Sequence, residues 1–252
     1  MFKYFKGKLN DLRRNISAYT RKVRLMRETD INKVIHLRQN VKCHHEWYGS
    51  SYGGFYIIPR FLNDSSIVYS FGIGKDISFD LKCMKIHNCH IYAFDPTPIS
   101  IEFIKNQKLP DLFHFHEYGI GASSAGFVEF YLPENVKGVS GSMVSHSEID
   151  KNRKINVLMK PLNEILRELG HRHIDVLKMD IEGSEYDVLF NILEHPVTID
   201  QILVEFHDRL FDQQEFRSKE IVRKLRENGY LISASSISFE EVSFIHRRKL
   251  GI

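Results

Sequence analysis

Hydrophobic positions along this chain change period repeatedly from about residue 55 onward. Short apolar runs typical of buried strands are separated by stretches in which apolar residues recur every three or four positions. The predicted strands are 55–58, 67–71, 91–94, 112–116, 126–132, 155–159, 174–179, 199–206, 230–234 and 242–246; the predicted helices are 77–87, 99–106, 162–169, 184–194 and 216–228. This alternation predicts βαβ units, hence a parallel sheet with helices on both faces, and the last two strands predict an antiparallel pair at its edge.

The N-terminal segment has a different pattern. Apolar residues from Phe2 to Met26 are spaced alternately by three and four, which predicts a helix with one narrow apolar stripe. Through Lys42 there are twelve basic and three acidic residues, a net charge of +9, whereas the whole chain carries +3, so the remainder is net −6. We therefore expect a basic amphipathic helical arm over residues 1–42 and one domain over residues 43–252.

Three hypotheses remain open for the arm. Its stripe could pack on its own domain or on a second subunit, giving a homo-oligomer. Its basic residues also suit peripheral contact with an anionic membrane, and its Arg-rich, acid-poor composition is compatible with a mitochondrial presequence. The chain has no run near the ~18 apolar residues that a membrane span needs, and its three cysteines form no CxxC pair. We expect a cytoplasmic protein with reduced thiols, with attachment at the inner face of the membrane as an alternative.

Two motifs indicate a nucleotide-like ligand. The strand 67–71 ends in the turn YSFGIGKD, where Gly72 and Gly74 would let the backbone approach a ligand. The next strand ends in AFDPTP, and its Asp95 lies 21 positions after Gly74, where an acid can bind ribose hydroxyls. The alternative for Asp95 is a helix N-cap.

The strand 174–179 is the most informative segment because it carries charges within an apolar run. Lys178, Asp180 and Glu182 precede a break at Gly183, and such charges are costly to bury unless they are paired or used. The carboxyl ends of strands are where open α/β sheets bind ligands. Asp180 and Glu182 are therefore predicted to line a working cleft.

With KMDIEGSEYDVL, AFDPTP and YSFGIGKD in this arrangement, the chain resembles the FkbM family of S-adenosylmethionine-dependent O-methyltransferases, from about Trp47 to its C-terminus. The resemblance implies the class I methyltransferase fold, a Rossmann-like seven-stranded mixed sheet with helices on both faces. It also implies S-adenosylmethionine as cofactor and methyl transfer to a hydroxyl, commonly on a sugar or a secondary metabolite. Two positions depart from the general pattern: Ser70 replaces the usual acid before the first glycine, and Asp76 replaces the third glycine.

Carried over by position, the resemblance implies a set of cofactor-binding residues. Gly72, Ile73, Gly74 and Asp76 would lie at the methionine end, Asp95 and Pro96 at the ribose, Tyr118, Gly119 and Ile120 beside adenine, and Asp180 near the methyl donor. Glu182 would face the donor or the acceptor.

The chemistry requires an aligned acceptor oxygen and a group that removes its proton. Asp180 is the first candidate for this base and His207 the second, with Glu182 beside them. A divalent metal ion is an alternative, because Asp180, Glu182, Glu205 and His207 offer suitable ligands. Without an ion, the same groups could pair with Lys178 and Arg209.

The acceptor site is the least determined part of the sequence. His45, Trp47 and Tyr48 could stack on a sugar ring, or the aromatic residues of this region could merely close one edge of the core. The small polar stretch 138–148 is a candidate acceptor-binding loop.

We expect an O-methyltransferase that acts on a sugar hydroxyl in a glycan or glycan precursor. The alternatives are a methyltransferase acting on a nucleic acid, which the motifs disfavour, or on another hydroxyl-bearing small molecule, and a non-catalytic module that binds S-adenosylmethionine.

Overall fold

The computed structural model describes residues 31–133, 149–195, 197–211 and 217–252. In chain order its strands are β1 (Glu46–Tyr48), β2 (Phe55–Ile57), β3 (Ile67–Phe71), β4 (His90–Phe94), β5 (Phe113–His116), β6 (Gly119–Ile120), β7 (Gly126–Pro133), β8 (Ile149–Lys160), β9 (His173–Met179), β10 (Thr198–Glu205), β11 (Tyr230–Ser235) and β12 (Glu241–His246). The α-helices are α1 (Ile31–Val34), α2 (Ser78–His87), α3 (Pro98–Lys105), α4 (Leu162–Leu169), α5 (Glu185–Glu194) and α6 (Arg217–Glu227).

Seven of these strands form a mixed sheet in the order β11-β12-β10-β9-β3-β4-β5. β9 is central and pairs in parallel with β3 on one side and β10 on the other. β12 runs antiparallel to both of its neighbours, β10 and β11. The predicted seven-stranded Rossmann-like sheet is confirmed, and the closing pair lies at the edge with β12 on its inner side.

Alternate strand residues supply two separate apolar layers, as expected for a sheet covered on both faces. On one face, Leu177 and its equivalents pack with residues of α4, α5 and α6. On the other face, Val176 and its equivalents pack with α2, α3 and the β1–β2 hairpin. Both faces being buried explains why the strands of this sheet read as continuous apolar runs.

A second, smaller sheet stands beside the main one. β8 pairs antiparallel with β7 and parallel with β6, in the order β6-β8-β7. The two strands predicted at 126–132 and 155–159 therefore pair with each other rather than extending the main sheet. Their inner residues Phe130, Val157 and Met159 form a small apolar cluster.

The end of the predicted arm packs against the domain. Val34 and Leu37 are buried in the larger apolar layer. The Asn40 and Val41 backbone N–H groups both donate to the Ile232 carbonyl of edge strand β11. The Asn40 side chain in turn accepts from the Ile232 N–H at 2.8 Å, so this segment covers the sheet edge. Residues 1–30, with most of the predicted arm helix, lie outside the described residues, and the boundary at Lys42 stays a prediction.

Within the described ranges, no helix combines the length and hydropathy that a membrane crossing requires.

Candidate active site

The glycine turn after β3 ties three strand ends together. Gly72 has a left-handed φ of +73°, and a Cβ built on it would lie 1.7 Å from the Asp180 carbonyl oxygen. Its N–H donates to Phe94 at the end of β4, while the Asp180 N–H donates to the Phe71 carbonyl. Only glycine permits both this conformation and this approach. The turns after β3 and β9 are therefore in direct backbone contact.

An open cleft lies over these strand ends. Nine of the ten residues predicted to bind the cofactor line it: Gly72, Ile73, Gly74, Asp76, Asp95, Pro96, Gly119, Ile120 and Asp180. Tyr118, the tenth, is outside this lining; its ring packs on Phe94 and lies beneath the Lys160 ammonium, which is 4.3 Å from the ring centroid. The structure thus brings the glycine turn, the Asp95 turn and the 119–120 turn to one cleft.

Asp95 connects two of these turns. Its Oδ2 accepts from the Gly74 N–H at 3.0 Å. Its Oδ1 accepts from the Thr97 N–H at 2.9 Å and from the Thr97 hydroxyl at 2.6 Å. The bonds to Thr97 at the start of α3 are close to the helix-capping alternative and use both lone pairs of Oδ1. Asp95 also lines the cleft, and Oδ2 keeps a second lone pair for a ligand hydroxyl.

Asp76 is held by the loop between β1 and β2. Its Oδ2 accepts from the Ser50 hydroxyl at 2.5 Å, and its Oδ1 accepts from the Ser78 N–H at 2.9 Å. Burial alone would raise the pKa of Asp76, but the hydrogen bonds from Ser50 and Ser78 hold it below its usual value. Asp76 therefore stays ionised and fixes the loop that carries Tyr52 to the rim of the cleft.

Lys178 lies in the floor of the cleft, buried in β9. Its Nζ donates to the Gly72 carbonyl at 3.4 Å and lies 5.2 Å from the centroid of the Phe55 ring. Burial raises the pKa of the neighbouring Asp80 to about 6, and the charge of Lys178 opposes that rise. Burying the charge of Lys178 is costly, and the nearby carboxylates of Asp76 and Asp80 offset that cost.

The turn after β9 places two carboxylates at the cleft. Asp180 and Glu182 both line it. Glu182 has a φ of +49° and Gly183 a φ of +98°, a pair of left-handed residues that is uncommon outside tight turns and functional sites. The Gly183 N–H donates to Glu185 Oε2 at 2.9 Å, which fixes the turn against the first residue of α5.

Behind these carboxylates lies His207, 1% exposed, in the loop after β10. Its Nε2 is 3.7 Å from Asp180 Oδ1, 3.4 Å from Glu182 Oε2 and 3.6 Å from Glu205 Oε1. Its other nitrogen, Nδ1, is 3.2 Å from Glu185 Oε1, and the same oxygen accepts from the His207 backbone N–H at 2.8 Å. The structure thus brings together all four residues named as possible metal ligands. His207 does not line the cleft, whereas its neighbours Asp180 and Glu182 do.

The electrostatics of this cluster are strongly coupled. The pKa of Asp180 is raised to about 6, chiefly by burial and secondly by the negative charge of Glu182. The pKa of Glu205 is raised well above its usual value, chiefly by burial and secondly by the negative charge of Asp180. Burial alone would lower the pKa of His207, but Glu185, Glu205 and Glu182 raise it well above its usual value. Like charges held this close are typical of a site that binds a proton or a cation.

The residues predicted to bind the acceptor lie elsewhere. Tyr48 is 1% exposed in the smaller apolar layer, with its hydroxyl 3.1 Å from His87 Nε2. Trp47 donates to the Ser50 carbonyl at 2.9 Å, and both Trp47 and His45 pack edge-on against Tyr56. This geometry matches the alternative in which they close one edge of the core. Tyr52, 51% exposed, is the aromatic residue of this region that reaches the cleft. The loop 138–148 lies outside the described residues.

Sequence reasoning missed several site residues. Glu185 looked like an ordinary first-turn acid of α5, yet it is fully buried against His207. The available signal was its place within the KMDIEGSEY motif. Phe130 and Met159 line the cleft from the small sheet, and nothing local in the sequence brings β7 and β8 there.

A mixed sheet with this strand order, a glycine turn, and an acid at the end of the next strand define the class I methyltransferase fold. The family model described as "Methyltransferase FkbM domain" matches residues 70–232. The chain therefore belongs to the FkbM family of S-adenosylmethionine-dependent methyltransferases.

Three individual relatives share at most 28% sequence identity with this chain. The human "Probable methyltransferase-like protein 24" is 26% identical over 155 residues, covering 61% of this chain and 36% of that protein. "Methyltransferase 1" of Beauveria bassiana is 28% identical, covering 61% of this chain and 69% of that protein. The solved structure of methyltransferase FkbM from Methylobacillus flagellatus KT aligns at 13% identity with a TM-score of 0.44, covering 73% of this chain and 44% of that one. The chain spans about a third of the human relative's length.

Proposed function

We propose that this protein transfers a methyl group from S-adenosylmethionine to a hydroxyl oxygen, on a sugar of a glycan or of a glycan precursor. The observation that carries the proposal is the position of Asp180 and Glu182. Both carboxylates line the same cleft as Asp95 and the glycine turn, so a proton acceptor lies beside the space for the methyl donor.

The cleft residues fit the cofactor. Apolar side chains of Ile120, Phe130 and Met159 suit a purine at one end. Asp95 Oδ2 has one free lone pair for a ribose hydroxyl, and the carboxylates of Asp180 and Glu182 favour a cationic group. S-adenosylmethionine, when bound, supplies a methyl group on a positively charged sulfur.

The acceptor hydroxyl must lose its proton as its oxygen forms the new bond to carbon. A carboxylate within hydrogen-bond reach performs this role, with contributions of about 10²–10⁴ in rate for positioned acid–base groups. Asp180 is our first candidate, and Glu182, at the same wall of the cleft, is the second. His207 is buried behind both, so its part is to hold their charge and orientation.

A sugar suits this cleft better than a nucleic acid does. Asp76, Asp180 and Glu182 give its wall a negative charge, and residues 43–252 are net −6, which repels a phosphate backbone. Tyr52 offers an exposed aromatic face at the rim, and such faces pack on the apolar side of sugar rings.

The test uses S-adenosylmethionine with a labelled methyl group and a panel of nucleotide-activated sugars, oligosaccharides, RNA, DNA and small polyols. We expect label on a sugar hydroxyl, located by mass spectrometry after hydrolysis. Label on nucleic acid alone would reject the sugar assignment. Cofactor binding without transfer to any acceptor in the panel would favour a non-catalytic binding module.

A variant separates chemistry from cofactor binding. Asp180→Asn nearly preserves shape but removes the charge, so we expect turnover to fall at least about 100-fold. Cofactor affinity by calorimetry should change far less than turnover. Glu129→Gln, at an exposed pair with Lys154, is the control and should behave as the wild type. Wild-type turnover in Asp180→Asn would contradict the assigned role.

A further inference from the structure

One ring nitrogen of the buried His207 lacks a hydrogen-bond partner among the described residues. Nδ1 is occupied by Glu185, but Nε2 makes no hydrogen bond of acceptable geometry to any described residue. This nitrogen is fully enclosed and points at oxygens of Asp180, Glu182 and Glu205 that lie 3.4–3.7 Å away. A buried polar atom of this kind calls for a partner that these side chains alone do not provide.

The spacing of the cluster matches two ligands of one metal ion. Ligand atoms about 2.1–2.2 Å from an ion, at tetrahedral to octahedral angles, lie about 3.0–3.6 Å from each other. His207 Nε2 is 3.6 Å from Glu205 Oε1, at the upper limit of that range, and 3.7 Å from Asp180 Oδ1, just beyond it. One ligand atom from each of the three residues lies within 4.8 Å of the others.

Glu185 supplies the support that metal-binding histidines usually have. Metal-ligating histidines commonly donate their second ring N–H to a carboxylate, which fixes the tautomer and aims the other nitrogen at the ion. Glu185 Oε1, 0% exposed, accepts from Nδ1 and also from the His207 backbone N–H. This double contact holds the imidazole with Nε2 facing the carboxylates.

A second group of potential ligands shows what a purely structural cluster looks like in this protein. His173, Asp175 and Asp200 also lie together, but Arg248 and Lys249 place their charged nitrogens 2.9 and 2.8 Å from Asp200. Cationic side chains already fill that cluster. At the His207 cluster, Lys178 of β9 donates to the Gly72 carbonyl.

We propose that Asp180, Glu205 and His207 bind one divalent first-row metal ion such as Mn²⁺, on the cleft side of His207. Carboxylate and imidazole ligands together suit such an ion. Resting on the proposed function, an ion held there would coordinate and acidify the acceptor hydroxyl. The oxygen then forms its bond to the methyl carbon as the carbon–sulfur bond breaks, and its proton passes to a carboxylate. Because Asp180 is a ligand in this arrangement, Glu182, the second candidate base, accepts that proton.

The first experiment measures Mn²⁺ binding by electron paramagnetic resonance, on full-length protein stripped with a chelator, without S-adenosylmethionine or acceptor. We expect one saturable site, with spin-echo modulation from a coordinated imidazole nitrogen. Glu205→Gln and His207→Asn should each weaken binding at least about tenfold, and Glu185→Gln by about 10- to 100-fold. Asp175→Asn, in the salt-bridged cluster, is the control and should bind as the wild type.

Three results would overturn the metal site: no saturable Mn²⁺ binding, no nitrogen modulation in the wild type, or unchanged affinity in Glu205→Gln. The last variant is nearly isosteric at a partly exposed position, so it keeps the test decisive if His207→Asn does not fold. Because neither cofactor nor acceptor is present, a failure here leaves the methyltransferase proposal intact. Conversely, if the protein binds Mn²⁺ at this site but methylates no sugar, the metal site stands and the proposed function is rejected.

Discussion

At the scale of single residues, Asp95 has more partners than a ribose contact needs. It fixes the glycine turn through Gly74 and the start of α3 through Thr97. A charge-assisted hydrogen bond of this kind contributes about 1.5–3 kcal/mol. Asp95 is therefore positioned to bind the cofactor and also to hold the two turns that form the cofactor-binding surface.

We predict that Asp95→Ala weakens S-adenosylmethionine binding at least about tenfold, because it removes the ligand contact and frees Gly74. Calorimetric titration measures the change. Thr97→Val is the matched control, since it removes one hydrogen bond to Asp95 but leaves the carboxylate, and it should have the smaller effect. Equal affinity of Asp95→Ala and wild type would reject the ribose assignment.

Much of this site could be predicted from spacing alone. Gly72, Asp95 and Asp180 follow strands that end at one edge of the sheet, and they do line one cleft. Depth could not be predicted in the same way: His207 and Glu205 share a strand face in the sequence pattern, yet one is fully buried and the other partly exposed. Periodicity gives the face of a residue, whereas its depth depends on which element covers that face.

At the scale of elements, a hydrogen-bonded chain links the N-terminal segment to the loop after β10. His36 Nε2 lies 2.8 Å from the Ser218 hydroxyl, which donates to Asp208, and Asp208 accepts from the Tyr186 hydroxyl at 3.0 Å. Since the Ser218 hydroxyl donates to Asp208, its oxygen accepts from His36 Nε2.

This docking should weaken in mild acid. Burial lowers the pKa of His36 from its usual 6.5 to about 4, so the unfolded chain takes up a proton that the folded one resists. Its contribution is present above pH 6.5 and is lost as the pH falls from 6.5 towards 4. After allowance for partial exposure, we expect a loss on the order of 1 kcal/mol between pH 7 and 5.

Urea unfolding of His36→Gln at both pH values measures this contribution. The variant should lose less stability than the wild type between pH 7 and pH 5. The exposed His44→Gln serves as a control and should follow the wild type. If His36→Gln and wild type lose the same free energy of unfolding, His36 does not govern the acid sensitivity.

Element boundaries were largely predictable, since β3 and α4 match their predicted ranges residue for residue. The pairing of β7 with β8 into a separate sheet was not, because strand patterns specify a half-buried face but not the neighbour. The segment at Val34–Val41 was also assigned to the arm, although it packs on β11 and α6. Its inclusion rested on the basic residues that continue through Lys42, and charge does not specify a packing partner.

At the scale of the whole molecule, charge is divided between the basic N-terminal segment and the acidic remainder. The arm is predicted to serve assembly or attachment to an anionic surface, where each Lys or Arg contributes about 1 kcal/mol. Because Val34 and Leu37 belong to the core, a clean test removes only residues 1–30.

We predict that this deletion leaves S-adenosylmethionine binding intact but changes the oligomeric state or co-sedimentation with anionic vesicles, the latter also weakening as salt rises. Light scattering and vesicle sedimentation of both forms measure the two properties, with neutral vesicles as the control. If neither property differs between the forms, the arm only packs on its own domain.

The position of β12 has a consequence for how this fold opens. β11 joins the sheet through β12, and the N-terminal segment is bonded in turn to β11 through Asn40 and Val41. Release of β12 from β10 would separate β12, β11 and residues 40–41 from the sheet together, while β9 and β3 stay paired with each other. The backbone amides of β12, β11 and residues 40–41 should therefore exchange with deuterium as one cooperative unit, faster than those of the central strands.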